Sequence, residues 1–374
     1  MKNERINRIL KYLLVALLSA TITATVMFGI FFVKQKNQSK LLTLQQLIEQ
    51  YFIGEVDTVA MEDAAANAMV NALGDKWSYY IPADEYAAYM EQMNNAYVGV
   101  GITITQEDDG IAVESVVSGG PAEEAGVQAG DTVLKVDGVS IAGMSVSEVK
   151  NMVQGEEGTT VTFAVSRNGE EISLVITRKE IRTPVVASKM LEENIGYIQI
   201  FNFNKNCAEE TIGVIKALTE QGAQKLIFDV RDNPGGYAEE MVNILDYLLP
   251  EGDLFTRVDY TGKEYTETSD AQCVELPMAV LVNGSSYSAA EFFAAALAEY
   301  EAAVIVGEKT SGKGYYQTTF SLPDGSAVGL SIGKYYTPKG ENLADVGITP
   351  DIQVTLDTTT QEDEQLQEAI EALS

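Results

Sequence analysis

The chain has 374 residues, which is enough for two or three domains of ordinary size. With 46% hydrophobic and 21% charged residues it can bury a sizeable core, so the disordered, collagen-like and coiled-coil classes are excluded. Its 55 acidic and 25 basic residues give a net charge of −30, which argues against nucleic acid as a partner. The absence of histidine excludes serine–histidine–aspartate triads, cysteine–histidine proteases and almost every zinc site.

The N-terminus has the pattern of a membrane signal-anchor. Residues 1–11 carry four basic side chains against one acid, and the uncharged run that follows, residues 12–33, is 22 residues long. As a helix this run would measure roughly 33 Å, enough to span a bilayer. A cleaved signal peptide is the alternative, but the run ends in bulky apolar residues. We predict a cytoplasmic tail at 1–11, an uncleaved transmembrane anchor at 12–33 and an extracytoplasmic remainder.

The next segment, residues 34–95, is predicted to be helical. One apolar face at helical spacing consists of Leu41, Leu44, Leu47, Ile48 and Tyr51. A second, alanine-rich stretch covers residues 64–73. We therefore expect a helical stalk or subdomain between the anchor and the rest of the chain.

Cysteine usage leaves one question open. The chain contains only Cys207 and Cys273. Outside the cytoplasm the two permit one disulfide, but two buried thiols fit at least as well, because nothing in their flanking sequences indicates a pair.

The sequence of residues 96–180 predicts a β-rich unit. Strands are predicted over 98–105, 111–116, 132–136, 160–165 and 171–177. Asn168 and Gly169 join the last two strands as a hairpin, and a capping box from Ser145 to Glu148 opens a helix.

This unit resembles a PDZ domain. The run Tyr97-Val98-Gly99-Val100-Gly101-Ile102 stands in the place of the carboxylate-binding loop, and Ala125-Gly126-Val127 with Gly130-Asp131 forms the second signature. The resemblance implies that a peptide C-terminus binds at Gly99, Val100, Gly101 and Ile102. The alternative is that these glycines only permit tight strand packing.

Residues 181–356 alternate between strands and helices, which predicts an α/β core with a parallel or mixed sheet and crossover helices. Strands are expected over 196–201, 225–230, 278–282 and 303–306, and helices over 209–221, 238–249 and 288–300. The C-terminal segment, 357–374, ends in an acidic helix that is expected to pack on the core or to form a dimer contact.

Two strand-to-helix loops of this core hold the candidate chemistry, because parallel strands deliver such loops to the same edge of a sheet. The first, residues 229–236, reads Asp-Val-Arg-Asp-Asn-Pro-Gly-Gly, and its glycines let backbone N–H groups face a ligand. The second, residues 283–288, places Ser288 at a helix start, where free amides and the helix dipole favour an oxyanion. On spacing alone, a plain N-cap role for this serine is favoured.

A nucleophilic serine needs a base, and without histidine the only good candidate outside the carboxylates is lysine. Lys313 lies between two glycines, just before a predicted strand over 315–322. Its pKa must fall by roughly three units from about 10.4, which burial can cause. Gln317 lies four residues later and points the same way along the strand. A phosphate-binding lysine is the weaker reading, because no Ser or Thr follows it.

Together these motifs resemble the carboxyl-terminal processing peptidases, a serine–lysine protease family in which a PDZ domain is set into an α/β core. The resemblance runs from about residue 40 to the end and includes residues 347–351. It implies a nucleophile, a general base and an orienting amide at Ser288, Lys313 and Gln317.

The same resemblance implies an oxyanion hole formed by the amide of Ala289 and an amide of the turn at Gly235 and Gly236, with the choice between the two glycines open. One departure concerns the nucleophile, because the alternation of serine and alanine usual in the family reads Ser-Ser-Tyr-Ser-Ala-Ala over residues 285–290. Ser286 therefore remains a second candidate, and Tyr287 is expected to narrow the site.

The sequence predicts a membrane-anchored serine endopeptidase that acts outside the cytoplasm on proteins or peptides with accessible C-termini. No metal or organic cofactor is implied, and the expected partners are such substrates, the membrane and, as an option, a second copy of the chain. The rival hypothesis is a catalytically inactive, PDZ-containing peptide-binding scaffold at the membrane. Only active-site labelling or turnover separates the two.

Overall fold

The computed structural model describes residues 40–107, 110–357, 359–360 and 362–374, together with the single positions 11, 19, 21, 23 and 25. The chain divides into two compact units, residues 1–69 and 70–374. The predicted tail and anchor, residues 1–33, lie outside the described residues apart from those single positions. Within the described part of the chain, no helix is long and apolar enough to cross a membrane.

The first unit contains helix α1 (Lys40–Tyr51) and most of helix α2 (Thr58–Asn71). The Gln45 amide joins the two helices by donating to the Glu62 carboxylate at 2.8 Å. The apolar stripe predicted for α1 is present, but it contains no buried residue.

The second unit opens with strand β1 (Tyr79–Ile81) and helix α3 (Ala83–Asn94). The strand corrects the prediction that residues 34–95 are helical throughout. It pairs with a strand of the core about 250 residues later, with Tyr79 opposite Gly329. This pairing brings the segment just before β1 to the core.

The PDZ-like unit follows. Its strands are β2 (Ala96–Gly99), β3 (Ile102–Glu107), β4 (Gly110–Val116), β5 (Thr132–Val136), β6 (Val139–Ser140), β7 (Thr160–Arg167), β8 (Glu170–Thr177) and β9 (Lys179–Arg182). Its helices are α4 (Pro121–Glu124) and α5 (Val146–Val153), and the predicted capping box at Ser145 is present. The expected strand over 98–105 is broken in two, because Gly101 adopts a φ of 79°.

Antiparallel pairing holds the PDZ-like unit together. One sheet has the order β3-β4-β5-β7-β8, with β6 on β5, and β2 pairs separately with β9. The hairpin of β7 and β8 is confirmed, with Arg167 opposite Glu170. The largest side chains of its own core include Ile111, Phe163 and Ile176, all fully buried.

The core holds the remaining elements. They are β10 (Val186–Met190), β11 (Ile195–Ile200), α6 (Cys207–Glu220), β12 (Lys225–Asp229), α7 (Ala238–Leu248), β13 (Gly252–Asp259), β14 (Glu264–Ser269), β15 (Met278–Val282), α8 (Ala289–Glu299), β16 (Ala303–Gly307), β17 (Tyr315–Ser321), β18 (Ala327–Tyr336), β19 (Ile352–Gln353) and α9 (Glu364–Ala372). A short 3₁₀ turn, Glu192–Asn194, precedes β11.

The central sheet is mixed, as predicted, with the order β10-β11-β12-β15-β16-β19. The strands from β11 onward are parallel, and β10 is antiparallel. Every residue of β15 is buried, because helices cover both faces. Helices α6, α7 and α8 pack on the face that carries Val280, and α9 packs on the face that carries Leu281. Packing on the core is thus the observed role of the C-terminal helix.

A second, antiparallel sheet has the order β1-β18-β13-β14, with β17 on the other edge of β18. Of its strands, only β17 was predicted. Both cysteines are free thiols, with Cys207 buried and Cys273 partly buried. The disulfide that the sequence left open is therefore not formed.

Candidate active site

Ser288 stands at the N-terminus of α8 in a strained backbone conformation, with φ 59° and ψ −125°. A positive φ is unfavourable for any residue other than glycine, and such strain clusters at functional sites. The serine is 8% exposed, and its N–H donates to the Glu291 carboxylate at 3.0 Å. The turn thus holds a serine just below the surface, at a helix end with free amides.

Ser286, the second candidate nucleophile, has a structural role. It is fully buried, its hydroxyl donates to the Val230 carbonyl at 2.7 Å, and the same oxygen accepts the N–H of Asn283 at 3.0 Å. These bonds close the loop and leave the hydroxyl no access to a substrate. The structure therefore favours Ser288.

The two strand-to-helix loops meet at one edge of the sheet, as expected from their parallel strands. Asn283 donates its amide to Asp232 at 2.9 Å, and the Tyr287 N–H donates to the Asn233 carbonyl at 3.1 Å. Gly235 lies so close to Ser288 that a Cβ at Gly235 would be 2.7 Å from the Cβ of Ser288. Only glycine permits this approach.

The three amides predicted for the oxyanion hole are not equivalent. The Gly235 N–H donates to the Asn233 side-chain oxygen at 2.8 Å, so it is already used within the loop. Among the hydrogen bonds of the described residues, neither the Gly236 N–H nor the Ala289 N–H is a donor. Of the two glycines between which the sequence left the choice open, Gly236 therefore has the available amide, together with Ala289.

The carboxylate of Glu291 joins the backbones of Ser288 and Lys313, the predicted nucleophile and base. It is fully buried, and its Oε2 accepts the N–H of Ser288 at 3.0 Å and that of Lys313 at 2.8 Å. Its Oε1 accepts the Gly312 N–H at 2.7 Å and the Thr310 hydroxyl at 2.5 Å. A buried carboxylate with four donors is well compensated, so it fixes both segments rigidly.

The amine of Lys313 lies among aromatic rings. Its Nζ is 4.9 Å from the ring centroid of Trp77 and 5.7 Å from that of Tyr287, and these two rings pack at 5.6 Å. Burial lowers the pKa of Lys313 to about 8, although the negative charges of Glu291 and Asp75 act in the opposite direction. The lysine is thus prepared to act as a base near neutral pH.

Gln317 lies on β17 beside a bulge, where β18 provides its partner. Its amide nitrogen donates to the Ser331 hydroxyl at 2.9 Å and to the Tyr315 carbonyl at 3.3 Å. No hydrogen bond joins Gln317 to Lys313 within the described part of the chain. The structure therefore places Gln317 on β17, the strand that follows Lys313, with its amide nitrogen bound to Ser331 and Tyr315.

Among the site residues that the sequence analysis missed, Asp75, Trp77 and Ser78 precede β1. Asp75 accepts the Trp77 N–H at 3.1 Å and the Ser78 hydroxyl at 2.6 Å. Burial tends to raise the pKa of Asp75, but hydrogen bonds from Ser331, Ser78 and backbone amides hold it below its usual value. One signal was available, since Trp77 is the only tryptophan of the chain and lies in a polar turn.

Glu291 was also missed as a site residue, although its spacing was visible. It lies three residues after Ser288, the spacing of a capping box. Applied to the predicted helix start, that rule would have identified the carboxylate. It would not have shown that Lys313 shares it, because that contact spans 22 residues.

An ion-pair network stabilises the first strand-to-helix loop, residues 229–236. The Arg231 guanidinium donates to Asp229 at 2.6 Å and to Asp363 at 2.8 Å, and the Tyr197 hydroxyl also donates to Asp229 at 2.6 Å. Burial opposes charge on Asp363, but the bonds from Arg231 hold its pKa below the usual range. The network ties α9 to the end of β12.

The PDZ-like unit carries a groove of about 590 Å³. Its apolar lining includes Val98, Val100, Ile102, Ile104, Ile111, Val133, Val149, Val153 and Phe163. Among the described residues, the N–H groups of Val100 and Gly101 donate to no acceptor, while both carbonyls accept. All four predicted binding residues, Gly99 to Ile102, lie on this groove.

Fold and site together define a serine peptidase with an inserted PDZ domain. Residues 194–354 match peptidase family S41, and residues 112–167 match the PDZ domain. The chain is 34% identical over 320 residues to the carboxy-terminal processing protease CtpA of Bacillus subtilis (strain 168), covering 85% of this chain and 69% of that protein. It belongs to the S41 family of carboxy-terminal processing serine proteases.

Two further proteins are similar to this chain. A protein named probable CtpA-like serine protease, from Staphylococcus aureus (strain COL), is 32% identical over 329 residues, which are 87% of this chain and 66% of that protein. The chain thus spans about two thirds of the length of these curated relatives. The solved structure of a photosystem II D1 C-terminal processing protease is 28% identical, with a TM-score of 0.49 over 89% of this chain and 91% of that one.

Proposed function

We propose that this protein is a membrane-anchored endopeptidase that cleaves extracytoplasmic proteins or peptides, with Ser288 as nucleophile and Lys313 as general base. The observation that carries the proposal is the shared carboxylate of Glu291, which accepts the N–H groups of both residues. The pKa of Lys313, about 8, leaves about a tenth of the amine neutral at pH 7. A neutral amine is what proton abstraction requires.

The proposed mechanism uses an acyl-enzyme. The Ser288 oxygen attacks the scissile carbonyl while the neutral amine of Lys313 takes the hydroxyl proton. The N–H groups of Gly236 and Ala289 donate hydrogen bonds to the developing oxyanion. The protonated lysine then gives its proton to the leaving amine, and water activated by the same side chain hydrolyses the ester.

The PDZ groove is proposed to recognise the C-terminus of the substrate. Its wall is apolar, and the amides of Val100 and Gly101 are available to bind a carboxylate. This combination fits a chain that ends in an apolar residue with a free carboxylate. Replacing that carboxylate by an amide should therefore weaken binding without any change to the enzyme.

Location outside the cytoplasm rests on the sequence of residues 1–33 alone. An uncharged run of 22 residues after a basic tail favours an anchor with its N-terminus in the cytoplasm. The expected result is that the full chain stays with membranes after alkaline carbonate extraction and is digested by protease added to spheroplasts. Recovery of the protein in the soluble fraction would contradict the anchor.

Turnover is the decisive test. The full chain, purified in detergent, is incubated with an unfolded protein, and the fragments are identified by mass spectrometry. Ser288→Ala should produce no fragments, whereas the exposed neighbour Ser285→Ala should cleave like the wild type. Cleavage by Ser288→Ala would contradict the nucleophile. Peptide binding without fragments from the wild type would support the scaffold hypothesis instead.

A further inference from the structure

A cleft of about 800 Å³ lies at a gap in the antiparallel sheet. Along one edge of β18, residues 327–329 pair with β1 and residues 333–336 pair with β13. Among the described residues, 330–332 pair with neither of these two strands, and the Ser331 N–H donates to the Ser78 hydroxyl at 3.0 Å instead. All three residues line the cleft, which therefore opens where β1 and β13 leave β18 uncovered.

The walls of the cleft are mainly apolar. The apolar and aromatic residues of its lining include Trp77, Val258, Tyr315, Leu330, Ile332 and Tyr336. The charged side chains of the lining are three aspartates and two lysines, which sum to −1, and Lys76 pairs with Asp345 at 3.6 Å. The cleft therefore offers no excess positive charge to an acidic group, and its lining suits an apolar side chain.

The cleft is continuous with the base side of the active site. Trp77 lines it, and the Lys313 amine lies 4.9 Å from the centroid of the Trp77 ring. Tyr315, two residues after Lys313, lines it as well. The Trp77 ring also packs at 5.6 Å on the ring of Tyr287, the residue before Ser288. A substrate chain that crosses Ser288 and passes Trp77 therefore enters the cleft.

The PDZ groove approaches Ser288 from a different side. Its lining residue Asn202 directly precedes Phe203, whose N–H donates to the Gly235 carbonyl at 2.8 Å. The cleft instead begins at Trp77, on the side of the base. A substrate whose C-terminus lies in the groove thus directs the residues after the scissile bond toward the groove, and the residues before it toward the cleft.

We propose that the cleft binds apolar side chains of the substrate residues that precede the scissile bond, the part of the substrate that becomes the acyl group. Val258, Leu330 and Ile332 supply the contacts that select these side chains, because each presents apolar surface to the cleft. The inference rests on the proposed function, since it needs Ser288 as nucleophile and the groove to set the direction of the substrate.

Peptide boronates test this subsite alone, because they contain no residue after the scissile bond. The boron forms a tetrahedral adduct with the Ser288 oxygen. One boronate carries leucine at the three positions before the boronate residue, and the other carries asparagine, which is similar in size but polar. Calorimetry measures the affinity of each for the full chain in detergent. We expect the leucine compound to bind at least about 20-fold more tightly.

The double variant Val258→Thr, Ile332→Thr makes the wall polar and keeps β-branched residues in both strands. Its preference for the leucine compound should fall below about 5-fold. Val328→Thr is the matched control, because Val328 is a partly buried residue of the same strand, β18, outside the lining of the cleft, and it should keep the wild-type preference. Thermal unfolding checks that each variant is folded. If the double variant does not fold, the near-isosteric Val258→Thr alone must still reduce the preference.

The outcomes separate this inference from the proposed function. Equal affinity of the wild type for the two boronates overturns the subsite, and so does a wild-type preference that persists in the threonine variants. A preference for leucine only after the scissile bond, in peptides that the full chain cleaves, would assign the cleft to the leaving group and overturn the proposal as well. If neither boronate forms an adduct, Ser288 as nucleophile is contradicted, and the inference falls with it.

Discussion

The two sides of the active site are built in different ways. On the nucleophile side, Ser288 is fixed by backbone hydrogen bonds between loops that follow two adjacent parallel strands, β12 and β15. On the base side, Lys313 lies against Trp77, which comes from a segment more than 230 residues earlier in the chain. The nucleophile side therefore determines the position of Ser288, and the base side determines the protonation state of Lys313. Changes on the first should lower kcat without moving the pH profile, and changes on the second should move the profile.

The largest effect is expected from Lys313→Met, which removes the base but keeps an apolar side chain against Trp77. Turnover should fall by about four to six powers of ten, as is usual for loss of such a group. The melting temperature should not fall, because a desolvated amine is replaced by a thioether. The exposed Lys309→Met is the matched control and should keep wild-type kcat. Residual activity near that of the wild type would contradict a lysine base.

Glu291→Gln is expected to have the next largest effect, because this carboxylate joins the two sides. Each of its oxygens accepts two hydrogen bonds, so either orientation of the amide points an NH₂ group at two donors. We expect kcat to fall by about two to three powers of ten, with a lower melting temperature. The control is the exposed Glu275→Gln.

The same substitution also bears on the pH profile. Because the Glu291 charge raises the pKa of Lys313, its loss should lower the pH at which the remaining activity is half maximal. An unchanged kcat in Glu291→Gln would show that the shared carboxylate does not organise the site. An inflection that moves upward would contradict the charge argument.

Trp77→Ala tests the base side alone. The neutral amine is the active form, so the rate should rise with pH through the pKa of Lys313, about 8, and then level off. Removing the indole admits water and moves that pKa back toward 10.5, so activity at pH 7 should fall about tenfold for each unit and recover at alkaline pH. Trp77→Phe keeps an apolar ring and should shift the profile less. The check is kcat measured against pH with chemistry rate-limiting.

An identical inflection in wild type and Trp77→Ala would show that the indole does not control the base. A fall in kcat that is equal at every pH would have the same meaning, since it would assign Trp77 to geometry. Either result would remove the distinction between the two sides of the site.

The two sides also differ in how far the sequence predicts them. The helix over 288–300 and the strand over 278–282 lie within one residue of α8 and β15, because buried parallel strands and crossover helices leave strong local patterns. The meeting of the two loops then follows from topology. Trp77 could not be placed this way, because a three-residue strand has no readable period and its partner lies about 250 residues away.

Individual hydrogen bonds of the site could not be predicted from the sequence, for a different reason. The spacing predicts that Gly235 and Gly236 form a turn, but not which amide the Asn233 side chain takes. Likewise, the spacing predicts that Gln317 points the same way as Lys313, but not that its amide nitrogen binds Ser331. Such choices depend on side chains of other strands, so they follow only from the packed structure.

The smallest effect is expected from the pair Gln317 and Ser331. Gln317→Ala removes an orienting group, not the base, so kcat should fall only about tenfold, with no change in the pH of half-maximal activity. Ser331→Ala frees the Gln317 amide from a 2.9 Å bond and should cost about threefold. If Ser331 acts only by holding Gln317, the double variant will be no slower than Gln317→Ala, because the serine has nothing left to orient. Losses that multiply would instead assign Ser331 an independent role, through Asp75, whose pKa its hydroxyl helps to lower. In that case the pH profile of Ser331→Ala should move as well, since Asp75 acts on the charge of Lys313.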